Sequence, residues 1–223
     1  MDEENLTGRN TLNAQQEHWN RTFLQWPDMF GKDPSEAAKR ALEFFQQEGK
    51  THLLELGCGQ GRDTLFFAQH GLRVTAADYS HACLQAIGEK VRTAGLTHYL
   101  TSLCLDVRQM FAFADWSFEA CYSHMLYCMA LTTPEIERLS CEVWRVLKPG
   151  GINIFTVRHT GDPHCGAGIH RGEDMWELGG FIVHFFSRQM VLRLAEPYEV
   201  LSIAEMEEGG LPRKLFWAAL KKA

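Results

Sequence analysis

Residues 51–61 read THLLELGCGQG, an apolar run closing on Glu55 and then glycines at every second position, Gly57, Gly59 and Gly61. Glycine is required where backbone takes positive φ or where a ligand must approach with no Cβ between. The segment therefore predicts a strand that stops and a ligand-cradling turn that follows. RDTLFFAQH at 62–70 predicts a helix, and GLRVTAAD a second strand ending on Asp78. Asp78 stands 21 positions beyond Gly57, where a doubly wound fold places an acid at the tip of its second strand to bind ribose hydroxyls. A dinucleotide fingerprint, G-x-G-x-x-G/A, would carry its third small residue where this chain has Arg62.

Strand and helix patterns alternate downstream, the signature of an α/β, doubly wound (Rossmann-like) sheet with helices on both faces. Ser35 and Ser80 are placed to cap helices. A third strand near 98–105 ends at Asp106, and a fourth, 118–122, ends at Ser123-His124. Thr133-Pro134 opens the next helix as cap and first residue, Lys148-Pro149-Gly150-Gly151 ends it, and 152–157 form strand five. Ser187 starts a helix to about Ala195, and 198–206 with 214–221 read as an antiparallel hairpin. The expected organisation is a single domain: a helical cap over 1–50 with a helix at 12–26, a core over 51–157, an insert over 158–186 and a closing helix and hairpin over 187–223.

A net charge of −6, with no Lys/Arg-rich run before Lys221-Lys222, argues against a nucleic-acid partner, because phosphate binding rests on clustered cations. The N-terminus MDEENLTGRN is acidic and polar, and no uncharged apolar stretch reaches ~18 residues, so a cytoplasmic chain with no membrane partner is expected. The 7 cysteines are scattered and include no C-x-x-C pair, as expected of small buried side chains in a reducing compartment. His164, Cys165 and His170 lack a metal-site spacing, and no metal is expected.

Four features in order, E-x-G-x-G-x-G at 55–61, Asp78, Asp106 and WRVLKPGG at 144–151, resemble the class I S-adenosylmethionine-dependent methyltransferases over residues 50–221. GCGQGRDTLFFAQHG followed by VTAADYS is most similar to the small-molecule branch that holds the tellurite-resistance and thiopurine methyltransferases. The resemblance implies seven mostly parallel strands with the last antiparallel, and S-adenosyl-L-methionine as cofactor. It also implies that Gly57, Gly59 and Gly61 admit the methionine moiety while Glu55 holds its ammonium. Asp78 would bind the ribose diol, Asp106 and Val107 the adenine, and the Ser123 backbone would lie near the methionine. Arg62 and Tyr79 complete the expected cofactor set, with Phe30 as the aromatic facing it.

Methyl transfer from a sulfonium needs alignment and exclusion of water, and a thiol or hydroxyl acceptor must also lose a proton. His124, after strand four at the ligand-binding edge, is the first candidate base. The stretch from Arg158 to Phe185 is too long for an ordinary loop. Its length, glycines and cations predict a mobile lid whose Arg158 and His159 face the acceptor. The expected acceptor is a small molecule, a thiol, chalcogen or metalloid ahead of a phenol or amine. Two alternatives remain: a catalytically silent adenosylmethionine-binding regulator, and a nicotinamide-dependent oxidoreductase, which Arg62 in the third-glycine position disfavours.

Overall fold

In the computed structural model, which describes residues 3–209 and 213–223, the chain runs α1 (Glu3–Gln25), α2 (Glu36–Gln47), β1 (His52–Leu56), α3 (Arg62–Gln69), β2 (Arg73–Asp78), α4 (His81–Thr93), β3 (Leu100–Cys104), β4 (Phe118–His124), α5 (Thr133–Val146) and β5 (Leu147–Arg158). There follow β6 (Ile169–His170), β7 (Met175–Leu178), β8 (Phe181–His184), α6 (Arg188–Ala195), β9 (Tyr198–Glu208) and β10 (Arg213–Lys222). Seven of these strands form one sheet in the order β3-β2-β1-β4-β5-β10-β9. The first five are mutually parallel, and β10 runs antiparallel to both β5 and β9. The closing hairpin expected from the sequence is this pair, slotted beside β5.

Consecutive residues of the central strands enter opposite cores because strand side chains alternate. Leu53 and Trp217 pack with Phe45, Phe67 and Ile87 from α2, α3 and α4, whereas Leu54 and Phe216 pack with Leu139, Val143 and Val191 from α5 and α6. Covering both faces buries β1 from Leu53 to Leu56, which is why its sequence shows no regular alternation. Ser35, Ser80 and Ser187 cap α2, α4 and α6, each accepting a backbone N–H three residues on. The α5 cap lies one residue before the expected position: Thr132 and Glu135 form a reciprocal capping box.

The strand order reverses at β1, so the chain leaves a crevice at the carboxyl ends of β1 and β4. Two segments outside the main sheet cover it. One is α1, much longer than the expected 12–26, which packs against α4 and β8. The other is the insert, expected as an irregular lid, which instead forms a small antiparallel sheet β6-β7-β8. Gly179 and Gly180 (φ 61° and 86°) make the two-residue turn between β7 and β8, as Gly-Gly does in tight hairpins. Strands of two to four residues carry too little alternation to be legible in sequence. Among the described residues no helix is long and apolar enough to cross a membrane.

Candidate active site

The strand ends open on a cavity of about 290 Å³. Gly57, Gly59, Asp78, His124 and Arg158 lie around its base, and Trp19, Phe23 and Phe30 with Trp176, Phe181 and Phe185 form much of its wall. A smaller recess of about 40 Å³ adjoins it, sharing Trp19, Tyr79, Leu126 and Met129, and is lined by Asp106 and Val107. The residues expected to hold one cofactor thus divide between two neighbouring chambers. Gln16 of α1 bridges to this region through its Nε2, which donates to the Tyr79 carbonyl at 2.9 Å.

The three glycines differ in what they do. A Cβ on Gly59, where φ is +50°, would meet only Phe23 Cζ at 3.8 Å and project into the cavity. A Cβ on Gly61 would lie 2.5 Å from Ile87 Cγ1. Gly61 does not line the cavity; it lets α3 begin against α4, which corrects the expectation that it borders the methionine. Gly57 lines the cavity beside Leu126.

Two carboxylates stand at the tips of β1 and β2. Asp78 is buried and accepts the N–H of Gly59 on Oδ2 and of Ser80 on Oδ1, both at 2.9 Å, so it ties the glycine turn to the start of α4. Burial raises its pKa, and those backbone bonds hold the rise down. Each oxygen keeps a further lone pair for a hydroxyl donor. Glu55 is 3% exposed, and its Oε2 has no hydrogen-bond partner among the described residues. Burial and then the charge of Asp63 push its pKa well above the usual carboxylate range. An orphaned carboxylate oxygen at a cavity wall, next to a glycine whose missing Cβ leaves space, fits the ammonium end of an amino-acid-like ligand. In the recess, Asp106 is gripped by Arg108 at 2.8–3.2 Å; burial alone would raise its pKa, but Arg108 holds it below the ordinary value.

His124 sits centrally. Its Nδ1 lies 2.9 Å from Thr156 Oγ1, which already accepts the Met125 N–H at 3.0 Å. Nε2 is 3.3 Å from Glu208 Oε2, close enough to attract as an ion pair but not aligned as a hydrogen bond, so both atoms are buried with unused capacity. Burial would raise the Glu208 pKa, yet His124 and Arg62 keep it low. Arg62 donates to Glu208 Oε1 and to the Phe30 carbonyl, both at 2.9 Å, and thereby fixes the aromatic loop to β9. Ser123, expected near the methionine, is fully buried in β4 and lines neither chamber; the next three residues, His124, Met125 and Leu126, do.

The insert's cations reach the cavity only in part. Arg158 lines it, held by Asp162 at 3.0 and 2.5 Å and adjacent to His164 Nδ1 at 3.0 Å. His159 does not: its ring packs on Phe216 with centroids 4.8 Å apart, and its Nδ1 accepts the Gly161 N–H. At this strand end the alternation turns Arg158 into the cavity and His159 onto Phe216. His170 bonds the Glu173 carbonyl, Arg171 pairs with Glu177, and His184 bonds the Leu131 carbonyl. Arg213 and His164 line the cavity and Glu208 stands beside His124, placements not expected from the sequence.

Residues 54–155 match the family model described as "Methyltransferase domain". Among curated relatives, the 24-methylenesterol C-methyltransferase 2 of Oryza sativa subsp. japonica is 30% identical over 141 residues, 61% of this chain and 38% of that protein. The protein of the same name from Arabidopsis thaliana is 28% identical over 220 residues, 91% of this chain and 57% of that one. Human thiol S-methyltransferase TMT1B is 30% identical over 120 residues, 52% and 46% of the two chains. The chain thus spans only about a third to just over half the length of these relatives. Among solved structures, a methyltransferase described as SAM-dependent from Methanosarcina mazei superposes with TM-score 0.71 at 20% identity, covering 82% of this chain and 96% of that one. TehB from Haemophilus influenzae gives 0.67 at 15% identity, covering 83% and 62%. The [4+2]-cyclase SpnF gives 0.71 at 18% identity, covering 95% and 96%.

Proposed function

We propose that this chain, which carries a methyltransferase domain of the S-adenosylmethionine-dependent class, transfers a methyl group to a small organic nucleophile enclosed in the 290 Å³ cavity. The observation that carries the reading is the unpartnered Glu55 oxygen beside Gly59, at the strand tips where Asp78 also stands. Glu55 would hold the cofactor's ammonium, Asp78 its ribose, and Tyr79, Asp106 and Val107 its adenine in the adjoining recess. Bound there, S-adenosylmethionine supplies a methyl on a cationic sulfonium, and the carboxylates at this end suit that charge. The aromatic wall excludes water and holds the acceptor in line. His124, which lines the cavity, would take the acceptor's proton, and Glu208, 3.3 Å from its Nε2, would balance the charge that results. The aromatic wall suits an organic thiol better than a small metalloid anion.

Calorimetric titration with S-adenosylmethionine and S-adenosylhomocysteine, followed by a mass-spectrometric screen of thiol, chalcogen, arsenite and phenol acceptors, tests the reading. Binding without turnover on any acceptor would favour the cofactor-binding regulator instead, and NAD binding would favour the oxidoreductase. The likeness to SpnF gives the reading of a methyltransferase fold with other chemistry a specific footing. Asp78→Ala should weaken S-adenosylhomocysteine by roughly 2–3 kcal/mol, the loss of charge-assisted hydrogen bonds. If a 2′,3′-dideoxy cofactor binds the wild type as tightly as the normal one, Asp78 does not hold the diol.

Glu55→Gln should do two opposed things. A carboxyl whose folded pKa lies above its unfolded value costs stability at any pH above the unfolded value, so the variant should melt higher at pH 7–8. Each kcal/mol relieved is about 2–4 °C in a chain of this size, and the gain should shrink as pH falls toward ~4.3. Cofactor affinity should meanwhile drop by about tenfold or more, since a neutral amide cannot pair with an ammonium. Thermal melts at several pH values and titration calorimetry read both; unchanged affinity would remove Glu55 from the site.

A further inference from the structure

Charge in the cavity is sorted by strand. The acids Glu55 and Asp78 stand on β1 and β2, at one side of β4, whereas Arg158 and Arg213 stand on β5 and β10, at the other. With neighbouring strands about 4.8 Å apart, the three strand intervals from β1 to β10 separate the two ends by roughly 14 Å. The acidic end suits a cationic cofactor, and the basic end has no counterpart in that reading.

Arg158 is neutralised by Asp162, and Arg62 by Glu208. Arg213, whose backbone pairs with Glu208, also lines the cavity, but its guanidinium makes no hydrogen bond or ion pair among the described residues. The nearest acids are committed: Asp162 holds Arg158 and accepts the backbone N–H groups of His164 and Lys214, and Glu208 holds Arg62 and faces His124. Burial, and then the charge of Arg158, lower the Arg213 pKa, so the guanidinium sits where its own charge is disfavoured. A half-buried cation left in this position is stabilised by an anion arriving from outside. The same cavity is lined by Trp19, Phe23 and Phe181, with Trp19 packed on the other two rings.

We propose that the methyl acceptor is an amphipathic anion, an aromatic or aliphatic body bearing a carboxylate, whose charged group docks on Arg213 with Arg158 and His164 beside it while its body lies against the aromatic wall. The proposal rests on the methyltransferase reading for the word acceptor, but the anion site itself does not depend on it. Docking the carboxylate at the β10 end orients the body toward β4, where His124 stands between the two ends of the cavity.

The test uses 2-naphthylacetate and its neutral isostere 2-naphthylacetamide, each titrated into the full chain with and without saturating S-adenosylhomocysteine. The acid should bind at least tenfold tighter than the amide. Arg213→Gln should bring the two within about threefold, and Arg213→Lys should keep most of the preference. The Arg213 side chain makes no hydrogen bond or ion pair among the described residues that its loss would break, and its backbone stays paired with Glu208, so these variants should remain folded. Equal affinities, no binding of the acid below millimolar concentration, or a preference that survives Arg213→Gln overturns the proposal. Failure of S-adenosylhomocysteine to bind overturns the methyltransferase reading separately, because the acid-to-amide ratio is still read in its absence.

Discussion

Gly59→Val should abolish detectable binding of S-adenosylmethionine and S-adenosylhomocysteine while the chain still folds. Nothing but Phe23 Cζ at 3.8 Å stands near a Cβ at this position, so the added side chain occupies cavity and not core. A β-branched residue at φ +50° adds roughly 1–3 kcal/mol of backbone strain, a melting-point loss of several degrees and no more. Gly61→Ala is the informative contrast. One methyl group 2.5 Å from Ile87 Cγ1, at φ +83°, must push α3 and α4 apart, and should cost about 2–4 kcal/mol of stability. Whatever fraction of Gly61→Ala is folded should bind cofactor nearly as the wild type does, because Gly61 is outside the cavity. Calorimetry beside thermal melts separates the two. Normal cofactor affinity in Gly59→Val would sink the placement of the ligand at the glycine turn.

His124→Ala should lower kcat by roughly 10²- to 10⁴-fold, the range for loss of a positioned base, with S-adenosylhomocysteine affinity within about threefold of wild type. The separation is expected because His124 lies on β4 between the acidic and basic ends, and its ring meets Thr156 and Glu208 with no hydrogen bond or ion pair to Asp78 or Glu55 among the described residues. Glu208→Gln should reduce the rate less, since it removes the counter-charge 3.3 Å from His124 Nε2 and leaves the imidazole itself in place. Full turnover by His124→Ala, once an acceptor is in hand, would reduce His124 to a residue that positions Thr156 and Glu208. An Arg158→Ala variant should also lose turnover, but it strips a partner from Asp162, which is fully buried at the side chain, so its melting point must be read alongside.

What the sequence disclosed follows the reach of its signals. Glu55, Gly57, Gly59 and Asp78 lie within one β-α-β stretch, where backbone geometry fixes their relation locally, and all four face the cavity. Gly61 belongs to the same motif and was misassigned because the spacing of glycines does not say whether the missing Cβ would meet a ligand or Ile87. His159 was misassigned because a count of cations ignores the alternation that turns it onto Phe216 while Arg158 faces inward. Glu208 and Arg213 were out of reach altogether. They are brought beside His124 and Arg158 only because β10 inserts antiparallel between β5 and β9, pairing Arg213 with Glu208 and Leu215 with Arg158. The insert's strands escaped notice because hairpins this short are stabilised by what they lie against, here the α1 helix, and not by their own pattern.

Gln15 reaches from α1 to the insert and binds it twice, its Nε2 donating to the Gly180 carbonyl and its Oε1 accepting the Ile182 N–H. With His18 and Trp19 both packed on Phe181, this seam is where two ribbons of chain separated by more than 120 residues meet over the cavity. Neither ribbon falls inside the stretch 54–155 that matches the family model. Under the proposed reading, the methyl donor is held at the strand tips of the matched stretch, while the shape offered to the recipient comes from flanking elements joined by the Gln15 clasp and the packing on Phe181. Such a division allows the recipient compartment to be rebuilt by altering α1, the insert and β10 without disturbing the donor's berth.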